Sequence, residues 1–120
     1  MYLSFLFSGI YLASLFSISE FIFNPLNLYY ELWWLDIPMH ILGGFGVGWF
    51  FTSGLILLRK KHSIKVIVFL TLSIMVMWEV YEYLLDLNDL RSWIGWKDTI
   101  ADVFNGFVGM TIFYKLFSKK

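Results

Sequence analysis

Four apolar stretches, at about residues 2–23, 38–58, 65–85 and 99–117, dominate this sequence, and each is near the length a helix needs to cross roughly 30 Å of hydrocarbon. Inside a bilayer the backbone amides have no water to bond, so such stretches fold as helices and pack against one another. The expected fold is therefore all-α, a single domain over residues 1–120 made of four transmembrane helices joined by short loops. Composition agrees with this. The chain is 59% hydrophobic, 22% aromatic and only 15% charged, with a mean hydropathy of +0.71, outside the range of ordinary soluble domains.

Charge sets both the expected orientation and the excluded partners. Arg59, Lys60, Lys61, Lys65, Lys115, Lys119 and Lys120, seven of the nine basic residues, fall on one side of a four-span arrangement. By the positive-inside rule that side is the cytoplasm, with both termini there. All nine acidic residues, from Glu20 to Asp102, fall in the other half or its loops. Zero net charge and the absence of a long basic run give no footprint for nucleic acid, so membrane lipid is the expected partner. With no cysteine, a disulfide framework, a thiol nucleophile and a thiolate metal site are excluded. Any chemistry must come from oxygen and imidazole groups. Ser17-Ile18-Ser19 weakly resembles a signal-peptide cleavage site, but no basic n-region precedes it, and the first span is expected to be retained.

The connections are equally marked. Asn24-Pro25 should break the first helix, and Tyr29, Tyr30, Trp33 and Trp34 suit the headgroup level. Pro38 fits a first helical turn, with Asp36 expected as the cap of the second span. Trp93 and Trp96 provide a second aromatic anchor between spans three and four. Glycines 43, 44, 46, 48, 106 and 109 are expected to let helices pack closely, and such faces are also compatible with a homo-oligomer.

Three spans repeat one pattern, polar residues at helical spacing in the outer half of an apolar helix. Asp36, His40 and Gly43 or Gly44 share a face of the second span, Glu79, Glu82 and Asp86 of the third, and Asp98, Asp102 and Asn105 of the fourth. Seven residues of helix rise about 10 Å, so Glu79 and Asn105 should reach similar depth below the rim marked by Asp86 and Asp98. A carboxylate in hydrocarbon costs several kcal/mol unless it is paired, neutralised or wetted, so these groups are expected to face the bundle interior. Their mutual repulsion is relieved by protons or a cation. The expected polar site is His40, Glu79, Glu82, Asp98, Asp102 and Asn105, with Glu79, Glu82 and Asp102 as metal ligands. Oxygen-rich ligands suit magnesium, calcium or manganese, and Arg91 and Lys97 offer positive charge that can pair with acids or a lipid phosphate. The alternative is a structural hydrogen-bond network built from Glu79, Asp102 and Asn105. Asp89 and His62 read as solvated loop residues.

The strings LDIPMHILGGFGVGWF, WEVYEYLLD and WKDTIADVFNGFVGM, over about residues 33–112, resemble the VanZ-like and YjdF-like small bacterial membrane proteins. Asp36 and His40 match the first part of that pattern, Glu79 and Glu82 the second, and Asp98, Thr99, Asp102, Asn105 and Gly109 the third. VanZ-like members often carry glutamine where Glu82 stands. The resemblance implies a multi-pass protein of the bacterial cytoplasmic membrane with an envelope role, near lipid-linked ligands of cell-wall chemistry. A fainter resemblance, to the small prokaryotic diacylglycerol kinases, rests on Glu82, Asp86, Lys97 and Asp98, and implies a lipid-phosphate-processing enzyme. No Walker-type phosphate loop or serine elbow is present. The charge map yields a first test. Because the chain has no cysteine of its own, a cysteine introduced at Asp89 should react in whole cells with a membrane-impermeant maleimide, and one at Lys61 should react only after lysis.

Overall fold

The first apolar stretch forms α1 (Tyr2–Ile18), which continues through one π-helical turn, Ser19–Phe23, closed by the Asn24 amide on the Ser19 carbonyl at 2.9 Å. Pro25 ends it, since proline cannot supply the next amide. Asn27 then takes a left-handed conformation (φ 57°), which asparagine tolerates better than most residues, and turns the chain into the short α2 (Leu28–Glu31). A 3-10 turn, Trp33–Leu35, leads directly into α3 (Asp36–Leu57). α4 (Ile64–Leu87) and α5 (Trp96–Phe117) complete the chain. This computed structural model describes residues 1–61, 63–87 and 96–117, side chains of 86 and 87 excepted. Expectations for His62, Arg91, Asp89, Trp93, Lys119, Lys120 and the Asp86 carboxylate lie outside the described residues.

Four helical segments, Tyr2–Phe23, Trp33–Leu57, Ile64–Leu85 and Trp96–Phe117, are long and apolar enough to cross a membrane. They form an all-α bundle measuring 43 × 26 × 23 Å, and the polarity of its inside and outside is that of an integral membrane protein. Phe69, Met77, Ile100 and Phe104 are each about two-thirds exposed, whereas Ser8, Thr52, Ser53, Thr71, His40, Glu79, Glu82 and Asp102 are buried. In water the large apolar groups would go inside; in lipid they can face out, and polar groups gather where they find partners.

One boundary differs from the sequence reading. Asp36 does not cap α3: it already has helical dihedrals (φ −62°, ψ −37°), and its carboxylate turns toward His40 one turn later. At the other end of α3, Arg59 adopts φ 53° and closes a Schellman motif, in which Lys60 N–H donates to the Leu55 carbonyl at 2.8 Å and Arg59 N–H to that of Ile56 at 3.0 Å. Ser63 begins α4, its hydroxyl accepting from the Val66 amide at 3.4 Å.

The core of the bundle is the contact between α3 and α5. A Cβ placed on Gly44 would fall on the Gly106 carbonyl, and one on Gly109 would fall on the Ile41 carbonyl, so the two backbones touch. A side chain on Gly106 would strike the Met75 sulfur of α4. α1 lies against α3 instead, with Tyr11 filling the space beside Gly46 and donating to the Leu42 carbonyl at 2.9 Å. Trp49 donates to Ser4 and Ser4 is bonded to Ser53, both at 2.9 Å. Such interhelical bonds contribute about 0.6 kcal/mol each on average, so they align α1 more than they hold it. The glycine faces expected to permit close helix packing are thus used within the chain. Gly43 is the exception to the expected packing role, because nothing lies within 4 Å of a Cβ built there.

This contrast makes a prediction. Gly109→Ala and Gly44→Ala drive a methyl into backbone and should each cost about 3 kcal/mol or more, since an overpacked site normally costs 1–3 and backbone cannot move aside. Gly43→Ala meets no atom and should hold or raise stability by up to about 1 kcal/mol through helix propensity. Unfolding of each purified variant in detergent against wild type measures the difference.

Candidate functional site

α3 and α5 run in the same direction, and their close approach has a fixed register. Gly44 meets Gly106 and Gly48 meets Met110. One turn back along the same two faces stand His40 and Asp102, and their side chains meet as the register demands, with His40 Nε2 3.4 Å from Asp102 Oδ2. The same nitrogen is 3.4 Å from Asp36 Oδ1, one turn before it on α3. α4 runs the opposite way and brings the end of its acidic face, Glu79 and Glu82, to this level.

Two groups of side chains converge as a result. His40, Glu79, Glu82 and Asp102, all buried, each present one donor atom such that all four atoms lie within 4.8 Å of one another. Asp36, Asp98 and Asp102 form a second group by the same measure, so Asp102 belongs to both. Asp102 is only 3% exposed, and its Oδ2 accepts no hydrogen bond among the described residues. Other oxygens are held. Trp78 donates from Nε1 to Glu82 Oε1 at 2.7 Å, and Thr99 is hydrogen-bonded to Glu79. Glu20, at the end of α1, accepts from Asn24 at 3.1 Å and from the Tyr81 hydroxyl at 3.5 Å, which ties that helix to α4 at the acidic end.

Of the residues expected at the polar site, the structure gathers His40, Glu79, Glu82, Asp98 and Asp102 into these two groups. Asn105 differs: it is half-buried about one turn further along α5, and no hydrogen bond among the described residues ties it to the cluster. Lys97 is exposed and forms no ion pair with these acids among the described residues. Asp36, read as a cap, is a member of the second group instead. Tyr29 was expected at the headgroup level with its aromatic neighbours; Tyr30 and Trp33 are indeed more than three-quarters exposed. Tyr29, however, turns inward, bonds the buried Ser19 hydroxyl at 2.6 Å and stands edge-on to Phe23. Its only sequence signal was an ordinary one, a hydroxyl-bearing ring placed close to a buried serine by the turn at Pro25.

Beside the acids lies a cavity of about 260 Å³ between α1, α3 and α4. Leu12, Leu15, Phe16, Val47, Ile74 and Met75 form its apolar walls, while Asp36, His40 and Glu82, with Ser19 and Tyr29, give it one polar end. Phe16 crosses its edge, in T-shaped contact with Trp78 at 5.8 Å and tilted against Tyr81 at 6.5 Å.

Compared with protein-family models, with characterised proteins and with solved structures, the chain gives no match. The site therefore has to be read from its own geometry. The Trp78–Glu82 bond provides one direct test: Trp78→Phe removes the donor and leaves a buried carboxyl oxygen without it, costing about 1.5–3 kcal/mol if the group is charged. A double-mutant cycle with Glu82→Met, which removes the acceptor, should give a coupling of about 1 kcal/mol or more, and additive effects would mean that the bond contributes nothing.

Proposed function

We propose that the acidic end of this bundle binds a divalent cation, in a protein of the bacterial cytoplasmic membrane with an envelope role. The observation that carries this reading is Asp102, whose Oδ2 is buried without a hydrogen bond at the convergence of both acidic groups. A buried carboxyl oxygen without a hydrogen bond costs about 1–3 kcal/mol, more when charged; the His40 nitrogen faces this one at 3.4 Å, and a metal ion would remove the remaining cost. The spacing also fits. Donor atoms around one calcium ion are separated by at most twice the metal–oxygen distance, about 5 Å, and those of His40, Glu79, Glu82 and Asp102 all lie within 4.8 Å of one another. The imidazole of His40 favours manganese among the hard cations, because it accepts nitrogen more readily than magnesium or calcium.

Charge supports room for a second ion. Asp36, Glu79, Glu82, Asp98 and Asp102 are five carboxylates, and one divalent ion offsets two charges. Two ions, one held by His40, Glu79, Glu82 and Asp102 and the other by Asp36, Asp98 and Asp102, would offset four. The resemblance carried by Asp36, His40, Glu79, Glu82 and Asp102 to VanZ-like and YjdF-like proteins points the same way, toward ligands at the outer leaflet.

The second reading is a structural network, favoured by His40, whose nitrogen faces Asp36 and Asp102 at equal distance. Thermal unfolding in detergent separates the two. With EDTA removed and magnesium, calcium or manganese added, wild type should gain about 2.7 kcal/mol at a hundredfold excess over the dissociation constant. Asp102→Asn and Glu79→Gln should lose that gain and, in EDTA, be as stable as wild type or more so, because one of several mutually repelling acids is gone. If the cations do nothing and both amides lower stability in EDTA, the acids hold the fold and the cation reading is wrong.

A further inference from the structure

We infer that the cavity between α1, α3 and α4 holds the alkyl chain of a phosphate-headed lipid, whose phosphate completes the coordination of the cation at the acidic end. This rests on the cation reading and adds to it the class of ligand. The first support is the shape of the polarity: apolar walls from Leu12, Leu15, Val47 and Ile74 lead to a polar end formed by Asp36, His40 and Glu82. Those three are drawn from both acidic groups. An oxygen arriving from the cavity would thus reach ions held in either group, while Glu79 and Asp102 are not part of the cavity lining and hold the ions from behind.

The second support is Gly43. Gly44, Gly46, Gly48, Gly106 and Gly109 each lack a side chain because another helix or side chain occupies that space, but beside Gly43 there is no atom within 4 Å. It lies one turn from His40, on the cavity wall. A helix gains stability from almost any other residue at such a position, so packing does not account for the glycine there, whereas passage between the polar end and the apolar chamber does.

The third support is volume and access. An apolar cavity of roughly 150 Å³ already takes up benzene, and this one is about 260 Å³, so a hydrocarbon chain fills it better than water does. α1 leans on α3 and meets α4 through the ring contacts of Phe16 and the bond from Tyr81 to Glu20. A chain can therefore reach the cavity sideways between α1 and α4 without separating the tightly packed α3 and α5. Phosphate is the head chemistry because hard divalent ions held by a few carboxylates complete their coordination with phosphate oxygens, and a bridged pair clamps them.

The test is calorimetric titration of the full-length protein, held in an amphipathic polymer so that no detergent chain competes. Dodecyl phosphate, inorganic phosphate and dodecylamine are titrated with manganese present and with EDTA. With manganese, dodecyl phosphate should bind on the order of 100-fold more tightly than inorganic phosphate, the gain from burying roughly three or four CH2 groups, and in EDTA it should not bind. Gly43→Leu, which fills the chamber, should lose tenfold or more of the dodecyl phosphate affinity while keeping the manganese affinity. A homologous series from ethyl to dodecyl phosphate on wild type gives an answer that needs no variant: affinity should rise about three- to fourfold per CH2 and level off once the chamber is full. Retained manganese binding with equal affinities for dodecyl and inorganic phosphate overturns the lipid proposal alone, as does a Gly43→Leu protein that binds dodecyl phosphate like wild type. Dodecylamine binding in EDTA in place of dodecyl phosphate identifies a cationic head and overturns the phosphate. Absence of manganese binding in wild type overturns the cation reading itself, and the phosphate arm with it.

Discussion

Contact of bare backbone between α3 and α5 is the constraint on which this molecule depends. Gly44 against Gly106 and Gly48 against Met110 are successive steps of one register, and His40 against Asp102 is the step before them. The positions are four residues apart on each helix, one turn along the same face. Parallel helices in that register have no freedom to place His40 anywhere but beside Asp102. Without the glycines the helices would stand further apart, and the imidazole and the carboxylate would lose each other. The packing motif and the polar site are therefore one feature read at two heights in the bundle.

In lipid such a contact has to hold without the hydrophobic effect, since the surrounding chains are as apolar as the side chains they would exclude. Close van der Waals approach and polar bonding remain, and the bundle separates them along its length. At the basic end, α1 and α3 are joined by Ser4, Trp49 and Ser53. At the acidic end, Trp78 bonds Glu82 within α4, while Tyr29 with Ser19 and Tyr81 with Glu20 draw the chain around the cavity. Between them α3 and α5 touch through glycine.

The spans were legible because bilayer thickness fixes their length, and the acids were legible because a carboxylate in an apolar helix has few places to go. Helical spacing alone was enough to line up Asp36 with His40 and Glu79 with Glu82. What spacing could not give was rotation of one helix about another. Gly43 and Gly44 are adjacent in sequence and looked alike, yet a 100° step of the helix puts one at an open cavity and the other on the Gly106 backbone. Asp36 before Pro38 had the local signature of a cap, and the 3-10 turn running into α3 made it a helical residue instead. Asn105 had the right spacing on α5, but it stands one turn beyond Asp102 and no hydrogen bond among the described residues ties it to the acids.

The placement of α1 follows from the same arrangement. α3 packs along α5 and along α1, while α1 meets α4 through ring contacts and the Tyr81–Glu20 bond. Tyr11 of α1 fills the recess at Gly46, and Met75 of α4 covers Gly106 while also lining the chamber. What remains between α1 and α4 is bridged by rings, Phe16 with Trp78 and Tyr81. Such contacts contribute about 0.5–1.5 kcal/mol beyond the area they bury, far less than the cost of parting α3 from α5. Motion in this bundle is therefore cheapest where α1 and α4 face each other, and that seam opens onto the chamber beside His40, Asp36 and Glu82.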